Sequence, residues 1–305
     1  MATMLQRTIK HPIPCCGVGL HSGAKVRMTL HPAPPGSGIT FVRSDKQGAR
    51  IAADWRNVVD SALCTSLHDG EGVVVSTIEH LMAALAGTEI DNLLVEIDGP
   101  EVPIMDGSAA PFVFLIECAG LVEQDAPRRA IRILKRVSVG ESDKSASLAP
   151  DSGLTLSFEI DFDSRAVRRQ DLSLVCDSES FKSEISRART FGFLHELDRM
   201  RAAGLARGGS LDNAVVISGD TILNEGGLRY ADEFVRHKLL DALGDLYLAG
   251  APIIGHFRGL RSGHRMNRRL LEALFADPAA WCFTTLARGD TVDPVRWQEP
   301  LRVRA

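Results

Sequence analysis

Apolar residues recur at helical spacing over residues 235–248, where Leu239, Leu240, Leu243, Leu246 and Leu248 form one stripe and Gly244 is the sole glycine. That pattern predicts an amphipathic helix. A second helix is predicted at 78–86, opened by the cap pair Ser76-Thr77 and stopped by Gly87. Further helices are predicted at 109–118, 181–188, 194–203 and 263–275. Alternating or continuous apolar runs predict strands at 6–10, 25–31, 38–42, 50–53, 71–75 and 93–97 in the first half of the chain. The second half repeats this, with strands at 131–139, 145–148, 154–161, 171–175, 214–218 and 253–258. Glycine and proline mark loops at 16–23, 32–38, 99–108 and 206–210.

The polar, proline-containing stretch 124–129 predicts a domain boundary. The chain then divides into an α+β domain at 1–125, a second α+β domain at 130–290 and a tail at 291–305. An internal echo supports duplication. His80-Leu-Met-Ala-Ala-Leu-Ala-Gly87 aligns with His237-Lys-Leu-Leu-Asp-Ala-Leu-Gly244, and each follows a set of strands in its own half. Two similar domains with facing helices would bring His80 and His237 together.

Composition narrows the function. The 305 residues carry a formal net charge of −4, with no basic arm and no aromatic-interleaved Lys/Arg run. Nucleic acid is therefore not the expected partner. No secretory leader is read at the N-terminus, and no apolar window approaches the roughly 18 residues of a membrane span. The six cysteines are scattered without a Cys-x-x-Cys pair, so reduced thiols in a cytoplasmic protein are expected. Cys64 suits either a site wall or simple packing as a small apolar side chain.

The chemistry gathers on the two helices. His237 and Asp241 lie four apart, on one helical face. With His80 from the facing helix they make three ligands for one metal, leaving a fourth position for water as a catalytic zinc requires. Glu79, next to His80, is the candidate general base. His264 opens the last helix and can act as an imidazolium, with Asp245, one turn beyond Asp241, to orient it. Thr190, in a stretch otherwise built for packing by Phe191 and Phe193, suits either an oxyanion donor or a cap for the following helix.

These motifs resemble the UDP-3-O-acyl-N-acetylglucosamine deacetylases, the zinc amidases of lipid A synthesis. The resemblance spans nearly the whole chain. It rests on Gly17-Val-Gly-Leu-His-Ser-Gly23, Ser76-Thr-Ile-Glu-His-Leu81, Pro103-Ile-Met-Asp-Gly-Ser-Ala109, Arg189-Thr-Phe-Gly-Phe193, Phe234-Val-Arg-His-Lys-Leu-Leu-Asp241 and Ser262-Gly-His-Arg-Met-Asn267. It implies two two-layer α/β sandwiches with helices packed between the sheets and the metal at their junction. His80, His237 and Asp241 match the zinc ligands, Glu79 the base, and His264 the charged histidine paired with Asp245. Thr190 matches the residue that polarises the carbonyl. Lys238, Lys144, Phe162 and Phe193 match positions lining the nucleotide and sugar site. Leu197, the 206–210 loop with Ser210, and Val216 fall where the family shapes an apolar acyl tunnel, and Cys64 is placed with the substrate-binding set. Glu196 stands where the family pattern leads us to expect aspartate, and Cys15-Cys16 is unusual before the glycine turn.

The expected function is zinc-dependent hydrolysis of the 2-acetamido group of an acylated UDP-glucosamine by a monomer, with iron as the alternative metal. The rival reading is a non-catalytic protein that binds a UDP-sugar or acyl chain around a structural metal.

Overall fold

The computed structural model describes residues 3–61 and 63–287; the tail expected at 291–305 lies outside the described residues. The fold is α+β, with two principal sheets and the main helices gathered between them.

In the first half, alternation does what the pattern predicts. Val26, Met28 and Leu30 of Lys25–Pro32 are buried, while Lys25 and Arg27 face out. This strand sits second in the sheet order Ile13–Val18, Lys25–Pro32, Leu93–Ile97, Ile39–Arg43, Ala49–Ala52, in which only Ile39–Arg43 and Leu93–Ile97 pair in parallel. In the second half's seven-stranded sheet, Val137–Glu141, Lys144–Ala149, Ile253–Leu260, Leu154–Asp161 and Arg169–Val175 lie side by side, and among these five only Leu154–Asp161 and Ile253–Leu260 are parallel. Counted along the chain, both sets follow the order first, second, fifth, third, fourth. In each, one helix leads directly into the fifth strand and another follows it: Glu79–Gly87 and Ala110–Ala119, then Glu233–Tyr247 and His264–Phe275. The two histidine-bearing helices thus hold equivalent places.

Those two helices cross in the centre. Glu79–Gly87 is buried on nearly every side, which its alanines and terminal glycine permit. Gly244 allows the approach, since a Cβ there would lie 2.1 Å from the Glu79 carbonyl oxygen. One apolar core, including Leu81, Leu85, Leu239 and Leu243, runs through both halves.

Several elements differ from the sequence reading. Residues 131–139 form two strands, Arg129–Ile133 and Val137–Glu141, because Leu134, Lys135 and Arg136 turn exposed between different partner strands. The stretch read as the domain boundary holds the end of one strand and the start of the next: Leu121–Pro127 pairs antiparallel with Leu5–Ile9, and Arg129–Ile133 follows. Leu121–Pro127 lies largely on the surface and so carries no apolar period. The run expected at 71–75 is a strand only at Val74–Ser76, in a small sheet with Val58–Val59 and Ser66–His68. Ser76-Thr77 does not cap the helix. Thr77 adopts a left-handed φ of 56° and donates its hydroxyl to Glu101, and Ile78 occupies the cap position without a side-chain bond. Residues expected as a helix at 181–188 form a π-type turn, Phe181–Ile185, after a short turn capped by Asp177.

Candidate active site

The helix crossing brings three ligand-type side chains together. Donor atoms of His80, His237 and Asp241 all lie within 4.8 Å of one another, and all three residues are buried. His237 Nε2 is 3.3 Å and His80 Nε2 3.6 Å from the same oxygen, Asp241 Oδ1. The other nitrogen of His237, Nδ1, is 3.1 Å from the Ala188 carbonyl. A carbonyl only accepts, so Nδ1 carries the proton and the Nε2 lone pair points at Asp241. Burial holds the His237 pKa down at about 4, which keeps the ring neutral. Burial pushes Asp241 toward the neutral form, but the adjoining Lys238 ammonium opposes it and keeps the carboxylate ionised. Lys238 Nζ donates to Asp241 Oδ2 at 2.6 Å, which leaves Oδ1 for the two imidazoles. A neutral imidazole lone pair facing a carboxylate oxygen calls for a cation between them. This donor set could hold a metal ion.

Beside the ligands stands a second charged group. Glu79 Oε1 is 3.8 Å from His264 Nε2. Burial raises the Glu79 pKa to about 7, near the value that serves a general base. Burial works against a charged His264, yet the adjoining Asp245, then Glu79 and Asp241, carry its pKa up to about 10. His264 Nδ1 donates to Asp245 Oδ2 at 2.9 Å. The pair therefore offers one proton acceptor and one proton donor to the same space.

Comparison with known proteins decides the family. The model for UDP-3-O-acyl N-acetylglycosamine deacetylase matches residues 6–276. The chain belongs to this family. Proteins carrying the name UDP-3-O-acyl-N-acetylglucosamine deacetylase match it over most of its length. That of Chromohalobacter salexigens is 51% identical over 97% of this chain and 98% of its own length. Those of Acidithiobacillus ferrooxidans and Vibrio parahaemolyticus are 52% and 49% identical, covering 92% and 98% of this chain and 93% and 99% of their own. The protein is accordingly a deacetylase, a hydrolase acting on an amide. Among the described residues no helix is long and apolar enough to cross a membrane.

The remaining residues singled out in this deacetylase separate into three groups. Lys144, Lys238 and His264 border a polar cleft of about 500 Å³. Thr190, Leu197, Ser210 and Val216 border a mostly apolar cavity, also of about 500 Å³, and Leu63 lines both spaces. Phe162 and Phe193 pack with ring centroids 5.8 Å apart, and Phe162 also meets Phe191 edge-on, which in turn faces His237. Thr190 is held by its backbone, donating to Gly107 O and accepting from Val215 N–H, both at 2.8 Å. It does not cap the next helix, whose cap position is Phe193. Cys64 is buried, with Sγ 3.6 Å from Ser66 Oγ, at the edge of a smaller cavity shared with His21 and Glu101. Glu196 is exposed on the first turn of Leu194–Ala202. All six cysteines are free thiols.

Three buried residues of the site escaped the sequence reading. Thr65 donates its N–H to Glu79 Oε2 at 3.0 Å and its hydroxyl to Asp245 Oδ1 at 2.5 Å. Asn267 donates to Asp245 Oδ2 at 2.8 Å. Glu101 accepts from the N–H groups of His21 and Ser22 and from the Ser22 and Thr77 hydroxyls, all between 2.6 and 2.8 Å. It ties the glycine turn to the start of the Glu79–Gly87 helix. Of the three, only Asn267 stood inside a quoted motif, and nothing in spacing marks the others.

Proposed function

We propose that the chain is a zinc-dependent deacetylase of lipid A biosynthesis. It would hydrolyse the 2-acetamido group of UDP-3-O-[(3R)-3-hydroxyacyl]-N-acetylglucosamine, giving acetate and the free amine. The observation that carries this reading is the Glu79–His264 pair, 3.8 Å apart and directly beside the buried ligand set. A zinc ion held by His80, His237 and Asp241 would polarise the acetamido carbonyl and acidify water at that point. Glu79, the base, takes a proton from the attacking water. His264, positively charged and held by Asp245, stabilises negative charge on the carbonyl oxygen and supplies the proton that the departing amine needs. Thr190 is assigned to the same oxygen on the family resemblance.

Lys144, Lys238, Phe162 and Phe193 are read as the nucleotide and sugar contacts; the two lysines border the polar cleft beside His264, which supports their part of the reading. Leu197, Ser210 and Val216, with Cys64 nearby, are read as walls for the acyl chain, which agrees with the apolar cavity. The enzyme is read as a cytoplasmic monomer.

The test is metal content and acetate release measured on one sample, before and after chelation and after zinc is added back. One zinc per chain, with activity lost and then restored, is the expected result. Iron restoring better than zinc would reassign the metal. Bound metal without acetate release from this substrate would overturn the reading in favour of a binding protein or another substrate.

A further inference from the structure

Asp245 is clamped by three donors. Its Oδ1 accepts the Thr65 hydroxyl at 2.5 Å, and its Oδ2 accepts His264 Nδ1–H at 2.9 Å and the Asn267 amide at 2.8 Å. Thr65 Oγ1 is also 3.1 Å from His264 Nδ1, so the hydroxyl touches both members of the pair. The same residue reaches the base on the other side, through its N–H to Glu79 Oε2. Its carbonyl accepts from Ile78 N–H at 3.3 Å, just ahead of the helix that carries Glu79. Thr65 is buried, as are Glu79 and Asp245.

We propose that Thr65 is a positioning residue that holds the base Glu79 and the His264–Asp245 pair in a fixed relation across the junction of the two halves. It touches none of the reacting atoms. Its backbone orients the carboxylate of Glu79 so that Oε1 faces His264. Its hydroxyl fills the one side of Asp245 that His264 and Asn267 leave open. Without it, a buried carboxylate lacks a donor, and the imidazole is free to tilt about its single bond to Oδ2. A threonine also suits the place sterically, because its branched side chain limits rotation of the hydroxyl.

The inference rests on the hydrolytic reading above, and the experiment separates the two. Thr65→Val keeps shape and backbone and removes only the hydroxyl; Thr65→Ser restores it. On the full chain with zinc loaded, Thr65→Val is expected to lower kcat by about 10- to 100-fold, the effect of one hydrogen bond to a charged group. KM and zinc content should stay within about twofold of wild type. Thr65→Ser should return kcat to within about fivefold. Nitrogen-15 spectra of labelled histidine, with the His264 signals assigned by their loss in His264→Asn, supply a readout independent of turnover. The His264 Nδ1 resonance is expected to move in Thr65→Val and to return in Thr65→Ser. Wild-type kcat in Thr65→Val would overturn the proposal. Equal loss in both variants, tracking a fall in thermal midpoint, would reduce Thr65 to a packing residue and overturn it too. Should Thr65→Val fail to fold, Thr65→Ala stands in its place. Should the wild type release no acetate, the functional reading fails, and an unmoved His264 spectrum would still decide against Thr65.

Discussion

Gly244 lies against the backbone carbonyl of Glu79, so close that a Cβ on Gly244 would come within 2.1 Å of that oxygen. The contact sets the distance between the helix that bears Glu79 and the helix that bears His237 and Asp241. Gly244→Ala must push the helices apart, since backbone cannot give way as a flexible side chain does. We expect a loss of about 1–3 kcal/mol in stability from overpacking, seen in denaturant melts, together with weaker metal retention. An alanine variant with wild-type midpoint and metal content would show that the crossing is looser than this.

Ligand and base separate by mutation. Glu79→Ala should lower turnover by roughly 10²–10⁴, the range of a general base, with metal retained. His237→Ala should lose the metal itself. Elemental analysis beside acetate release checks both, and stoichiometric metal in His237→Ala would remove it from the ligand set.

The pH profile follows from the two shifted groups. In the proposed mechanism Glu79 works deprotonated, and burial sets its pKa at about 7, so kcat/KM should rise with pH through that point. His264 works protonated, and chiefly Asp245 sets its pKa at about 10 against the pull of burial, so activity should fall again as pH passes there. A bound dication lowers both values, so each limb should lie at or below these positions. Rates from pH 5 to 11 test this, and in Glu79→Gln the acid limb should vanish.

Lys238 binds the oxygen of Asp241 that faces away from the imidazoles, at 2.6 Å. Lys238→Met should leave Asp241 freer to rotate and weaken metal affinity about 10- to 100-fold, as loss of an outer hydrogen bond to a ligand commonly does. Competition against a chromophoric chelator would measure it, and unchanged affinity would confine Lys238 to the cleft.

Val216 is nearly buried and borders the apolar cavity with Leu197. Val216→Phe fills part of that space. If the cavity takes the acyl chain, kcat/KM should drop at least about 10-fold more for a long chain than for a short one. Parallel losses across a chain-length series would place the acyl chain elsewhere.

The clustering of His80, His237 and Asp241 was legible because each is tied to a helical period. His237 and Asp241 share a face by their spacing, and His80 sits at the matching place in the echoed helix. The strand sets were legible where one face is buried, as at Val26, Met28 and Leu30. The exposed strand Leu121–Pro127 was not, because its pairing is made by backbone and leaves no apolar alternation. Thr65 and Glu101 escaped for another reason. Each acts on residues brought near by the fold, Asp245 in one case and the 21–22 turn in the other, and local sequence holds no trace of such contacts. Thr77 misled for a related reason: its hydroxyl, suited to a cap, is taken by Glu101.

Glu79, His80, His237, Asp241 and Asp245 place five ionisable side chains inside the crossing of the two halves, where apolar contacts would otherwise adhere most strongly. Such groups adhere poorly unless their charges are matched. A divalent ion at that spot would act as a rivet as well as a reagent, since binding only the closed arrangement stabilises it by mass action. Scarcity of the metal would then loosen the molecule along the line where it works.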